Sequence, residues 1–111
     1  MPNFLAPASA LVLADLITPA EHGIASRVLA KNSSGTVTLF AFDAGEALSE
    51  HTAPFDALVI VLEGTFVLTI GGNRVEARAG TVVRMPAGVP HAVDAIDPSR
   101  MLLVMLREQS A

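Results

Sequence analysis

The sequence predicts an all-β domain, a small sandwich or barrel, on three observations. Short apolar, β-branched runs recur about every eight to twelve residues, glycine, asparagine and proline cluster between them, and no helical spacing persists over an amphipathic window. With 111 residues, 51% of them hydrophobic, the chain can bury about 60–70% of its unfolded surface and needs no covalent staple.

In chain order, residues 1–23 read as an N-terminal arm and 24–111 as a single barrel domain. Within the arm, Leu11, Val12 and Leu13 make an apolar core too short for a membrane span and without the positive flank of a secretory signal. The expected compartment is therefore the cytoplasm. Thr18-Pro19-Ala20-Glu21 predicts a short helical turn, with Thr18 as N-cap and Pro19 at the first position. Strands are expected at 24–30, 36–42, 57–62, 65–70, 74–77, 81–85, 91–95 and 101–107. Asn32-Ser33-Ser34-Gly35 and Gly71-Gly72-Asn73 are hairpin turns, because Gly and Asn accept the positive φ of tight turns. Pro86 and Pro90 cannot donate to a ladder and bracket a stiff loop around Gly88. Asp97-Pro98-Ser99 turns the chain into the last strand. That strand, Met101 to Leu106, is apolar on both faces, so its outer face needs cover. Either the arm supplies it or, the favoured expectation, a second copy does through a two-fold sheet contact, making a homodimer.

Composition removes several classes of function. The chain has no cysteine, hence no disulfide, thiolate metal site or cysteine nucleophile. Seven basic against eleven acidic residues, with no basic run and with neither Tyr nor Trp, argue against nucleic acid as a partner. Gly71-Gly72 lacks the lysine and the helix of a phosphate loop.

The informative spacing begins at Gly45. It reads Gly45-x5-His51-x-Ala53-x3-Ala57-x6-Gly64, then Gly80-x5-Pro86-x-Gly88-x2-His91-x3-Ala95. This resembles the cupin family, whose two motifs are G-x5-H-x-H-x3-E-x6-G and G-x5-P-x-G-x2-H-x3-N. Every glycine, the proline and two histidines fall in register. The resemblance implies a small double-stranded β-helix, a jelly-roll barrel, usually dimeric, with its site at the barrel mouth. It implies metal ligands at positions 51, 53, 57 and 91, of which only His51 and His91 keep a ligating side chain. Ala53, Ala57 and Ala95 stand where the family has His, Glu and Asn.

The positions that the resemblance turns inward, 51, 53, 57, 91 and 95, are all odd, and strand side chains alternate between faces. The nearby acids Glu50, Asp56 and Asp94 are even and should point away, Asp56 being the one that a bulge at Pro54 could re-aim. Two imidazoles with waters can still hold Zn²⁺, Ni²⁺ or Fe²⁺ at about 2.0–2.2 Å. The competing reading is a metal-free pocket in which both histidines are hydrogen-bonded wall residues. On parity the lumen is lined by Ala53, Ala57, Val59, Val61, Val93 and Ala95 beside His51 and His91, a largely apolar pocket with two polar anchors for a small organic ligand. Phe40, Phe42, Phe55 and Phe66 are the side chains available to fill it instead. Three functions stay open: a small-molecule binder; a metal-dependent enzyme of oxygenase, isomerase or lyase type using His51 and His91; and a non-catalytic sensing or structural dimer.

Overall fold

The computed structural model describes residues 4–107, so the first three positions of the arm and the last four of the barrel lie outside the described residues. Nine strands follow a 3-10 turn at Leu13–Leu16: β1 (Ile24–Asn32), β2 (Gly35–Phe42), β3 (Ala47–His51), β4 (Asp56–Glu63), β5 (Thr65–Ile70), β6 (Asn73–Arg78), β7 (Val82–Met85), β8 (His91–Ala95) and β9 (Ser99–Leu106). They form two antiparallel sheets, β1-β2-β9-β4-β7 and β3-β8-β5-β6, which pack face to face as a jelly roll. Among the described residues no helix is long and apolar enough to cross a membrane.

Eight strands lie where the alternation places them, within two residues at either end. β3 carries one large apolar side chain, Leu48, and escapes the pattern. The helical turn expected at Thr18–Glu21 is not formed; those residues run irregularly into a turn at Glu21 and His22. The 3-10 turn lies earlier, closed by the Asp15 amide donating to the Val12 carbonyl at 3.0 Å, with no side-chain cap. Pro19 has the right φ for a helix start, but too few helix-forming residues follow before Gly23 and the strand at Ile24.

Odd residues of β4 point inward, as do those of β8 and β9: Ala57, Val59, Val61, Val93, Ala95 and Met101 are all buried. They pack with the even residue Phe42 of β2 and with Phe66 of β5, whose rings meet edge to face at 5.1 Å and 82°. A second cluster covers part of the outer face of the five-stranded sheet. Leu16 and Ile17 from the arm lie with Leu39, Ala41, Leu62 and Leu102, so the arm shields the β1-β2 side of that face. On the β4-β7 side, Leu58, Ile60, Val104, Leu106 and Val82 belong to neither cluster, and Val82 is 61% exposed.

Two turns depend on glycine. Gly71 and Gly72, with φ of +56° and +83°, join β5 to β6 through the two-residue hairpin that the sequence predicts. Gly64, at φ +75°, lets β4 pass against the turn before β9, since a Cβ there would fall 2.1 Å from the Ser99 hydroxyl.

Candidate functional site

The site is organised by a bulge. β3 pairs with β8 at Leu48↔Val93 and again at His51↔His91, so one extra residue sits in β3 between these pairs. Leu48 is even and packs inward on the core; the extra residue resets the alternation and brings His51 onto the same inner side. His91 opens β8 directly after the Pro86–Pro90 loop. Main-chain bonds brace that loop from both sides: the Gly88 amide donates to the Ala53 carbonyl at 2.9 Å and the Gly71 amide to the Pro90 carbonyl at 2.8 Å.

The two imidazoles meet. Their ring centroids are 4.4 Å apart at an interplanar angle of 71°, and the Nε2 atoms face each other at 3.1 Å. Each ring turns its other nitrogen to the carbonyl two residues earlier, Nδ1 of His51 to Ser49 at 2.9 Å and Nδ1 of His91 to Val89 at 3.2 Å. A carbonyl oxygen only accepts, so each Nδ1 carries the proton and each Nε2 presents a lone pair. Two such lone pairs at this separation repel unless a proton or a metal ion lies between them. His91 is buried, at 5% exposure, whereas His51 is exposed.

A divalent ion fits this arrangement with respect to the two nitrogens. Two donors bound at about 2.0–2.2 Å stand about 2.8–3.6 Å apart between octahedral and tetrahedral angles. Orienting a ligating ring through its second nitrogen is also what metal-bound histidines do. The rest of a protein-closed shell is missing: among the described residues no group of three or more His, Cys, Asp or Glu converges. The donors therefore suit an ion held by two protein nitrogens, with its other positions filled from solution.

The remaining predicted residues divide in two. Ala53 is half-buried between β3 and β4, its carbonyl accepting the Gly88 amide. Ala57, Val59, Val61, Val93 and Ala95 lie deeper in the core cluster, each at most 4% exposed, where Phe42 and Phe66 occupy the space between the sheets. Phe40 packs against that cluster, while Phe55 lies outside it.

Asp56 does not approach the histidines. Its Oδ1 accepts the Ala87 amide at 2.8 Å and its Oδ2 accepts the Arg84 guanidinium at 2.9 Å. The Ala87 amide, and then Arg84, hold the Asp56 carboxyl below its ordinary range. Glu50 and Asp94 are both exposed. The two histidines thus meet and Asp56 points away, as the spacing suggests, although in β3 the even residue Leu48 faces inward and the bulge is needed to bring His51 to that side. Three features escape the sequence. The ring-orienting carbonyls are reported by no side-chain motif, and the Asp56-Arg84-Ala87 tie that fastens the Pro86–Pro90 loop to β4 joins residues about thirty positions apart. The third is a cleft of 370 Å³ outside the barrel, lined by Pro54, Phe55, Asp56, Ala87, Leu106 and Arg107, where the Arg107 guanidinium lies 5.2 Å from the Phe55 ring centre. His22 sits in an exposed turn at φ +55°, its amide donating to Asp43 at 2.8 Å, away from both motifs.

Comparison with known proteins places this geometry among relatives. The family described as "Cupin domain" matches residues 38–106. An uncharacterised protein of Streptomyces coelicolor is 33% identical over 70 residues, 63% of this chain and 67% of that protein. A conserved Streptococcus pyogenes protein of unknown function superposes with a TM-score of 0.90 at 30% identity, covering 98% of this chain and 96% of that one. A cupin superfamily protein of Desulfitobacterium hafniense gives 0.88 at 29% identity, with 97% and 99% covered.

Proposed function

Because the chain belongs to the cupin family, we propose that it binds a small organic ligand at the mouth of its barrel through a divalent transition metal ion held by His51 and His91. The observation that carries this reading is the pair of Nε2 atoms converging at 3.1 Å while both Nδ1 atoms are committed to main-chain carbonyls. Two lone pairs directed at one point suit a bound ion, a shared proton being the other arrangement that would satisfy them. The packed core beneath, with Phe42 and Phe66 between the sheets, favours a ligand at the histidine end of the barrel over one deep in the lumen. An ion so placed supplies a Lewis acid that polarises a ligand oxygen. The protein's own part is to aim the two rings through the Ser49 and Val89 carbonyls.

The test is metal content by elemental analysis on protein purified without an affinity tag, loaded with Ni²⁺ and dialysed. The expected result is about one ion per chain in the wild type and loss of it in both His51→Ala and His91→Ala. Retention of the same amount by both variants, or none in the wild type, overturns the reading.

We also propose that a second copy covers the β4-β7 side of the outer sheet face, where five aliphatic side chains lie outside both core clusters.

A further inference from the structure

The cleft outside the barrel, 370 Å³ in volume, falls within the range of small-molecule pockets, about 300–1,000 Å³, and neither histidine lines it. Its sides are the connection between β3 and β4, at Pro54 and Phe55, and the Pro86–Pro90 loop, at Ala87. The Asp56 carboxylate ties one side to the other through the Ala87 amide at 2.8 Å. The cleft is therefore shaped before anything enters it.

Its charge selects the occupant. One oxygen of Asp56 takes the Ala87 amide, the other takes Nε and Nη2 of Arg84 at 3.2 and 2.9 Å, and the charges of Asp56 and Arg84 balance. A cation gains little from so well-used a carboxylate. Arg107 is the opposite case. Its amide donates to the Ser34 carbonyl at 2.7 Å, which fixes the backbone where β9 ends, and its guanidinium lies over the Phe55 ring, 5.2 Å from the centre. The aromatic contact steadies the guanidinium and leaves it hydrogen-bond donors to spare. Among the described residues no carboxylate pairs with it. Beside this cation stand the apolar surfaces of Pro54, Phe55 and Leu106, the last of them 50% exposed. One positive charge next to an apolar wall suits a ligand that carries one negative charge on an apolar body. A second negative charge would meet no cation of its own and would lie near Asp56, which disfavours dicarboxylates and phosphate esters.

We infer that this cleft is a second ligand site, separate from the histidine pair, and that it takes a small monocarboxylate, with the carboxylate on the Arg107 guanidinium and the apolar body against Pro54, Phe55 and Leu106. The inference does not depend on what the histidines hold.

NMR titration of isotope-labelled, metal-free protein with phenylacetate, against the neutral phenylacetamide, tests this. The acid is expected to move the amide signals of Phe55, Ala87 and Arg107 with a Kd on the order of 1 mM, the scale of a ligand this small. It should bind about fivefold more tightly than the amide, as one partly exposed charge pair allows. Arg107→Gln, at an exposed position, keeps the fold and removes the preference. Phe55→Ala weakens both ligands, and His51→Ala leaves both as they are in the wild type. Glu108, next in the chain, lies outside the described residues, and Glu108→Gln removes its charge as a competitor for Arg107. Equal affinity for acid and amide in the wild type and in Glu108→Gln overturns the inference. So does a preference that survives Arg107→Gln, or one that His51→Ala abolishes. None of these outcomes bears on Ni²⁺ retention by the histidines, so the two proposals fail separately.

Discussion

Replacing Gly64 by alanine tests the claim that a motif glycine is there to admit the neighbouring turn and not merely to bend the chain. Its φ of +75° is one that an L-residue with a Cβ adopts at a cost of about 1–2 kcal/mol. The added Cβ would also lie 2.1 Å from the Ser99 hydroxyl and 2.7 Å from both an Asp97 carboxylate oxygen and the Pro98 carbonyl. Two of these contacts are with groups that already hold the Thr65 amide, at 2.8 Å from Asp97 and 3.1 Å from Ser99. Relieving the overlap shifts the 97–99 turn and strains those bonds, which adds about 1–3 kcal/mol as in other overpacked sites. The sum, about 2–5 kcal/mol, is a large share of the roughly 5–15 kcal/mol that a native protein commands. Urea unfolding followed by circular dichroism would read it as a midpoint lowered by about 2 M, for an m-value of about 2 kcal/mol per molar. Gly72→Ala is the control, since Gly72 has a φ of +83° but a Cβ added there would meet nothing within 4 Å. It should lose only the backbone share, about 1–2 kcal/mol. Equal midpoints for the two variants would refute the packing argument.

Other outcomes follow from the same structure. The Asp56 carboxyl is held below its ordinary range, so its contribution to stability is present above the unfolded value of about 3.9 and is lost as pH falls through the lower folded value. The melting temperatures of wild type and Asp56→Asn should therefore differ near neutrality and converge below about pH 4; a gap constant with pH contradicts this. Phe66→Ala, which removes a fully buried ring from its edge-to-face partner Phe42, should cost about 3–5 kcal/mol in urea unfolding. A loss below about 1 kcal/mol would mean that the space between the sheets is not filled as described. Val82→Asp, placed in the uncovered side of the outer face, should shift the sedimentation of the wild type from dimer to monomer. A dimer that persists in the variant, or a monomeric wild type, removes the second-copy proposal.

The barrel is legible in the sequence because apolar alternation and turn chemistry act over a few residues, and both survive in the structure at β4, at β8 and in the Gly71-Gly72 hairpin. β3 is hidden because it is held by its pairing with β8 and not by an apolar face of its own: of Ala47-Leu48-Ser49-Glu50-His51, only Leu48 reaches the core. The same holds for the cover of the outer face. That β9 needs cover follows from its composition, but that Leu16 and Ile17 supply part of it depends on where the arm docks. At the site, the two histidines and the outward parity of Asp56 can be read from spacing. The ring orientation cannot, because it is set by the carbonyls of Ser49 and Val89, and every residue has a carbonyl.

That last feature bears on how such a barrel changes over generations. The aim of the rings is written in the main chain, through Ser49, Val89 and the amides that brace the Pro86–Pro90 loop, while positions 53, 57 and 95 contribute methyl groups that no hydrogen bond depends on. Substitutions at the half-buried position 53 leave those main-chain bonds in place, whereas Ala57 and Ala95 are buried in the core cluster, where a larger side chain would have to displace its neighbours. The direction of the rings is thus inherited with the backbone, and the freedom to vary is concentrated at the rim and not in the layer beneath it.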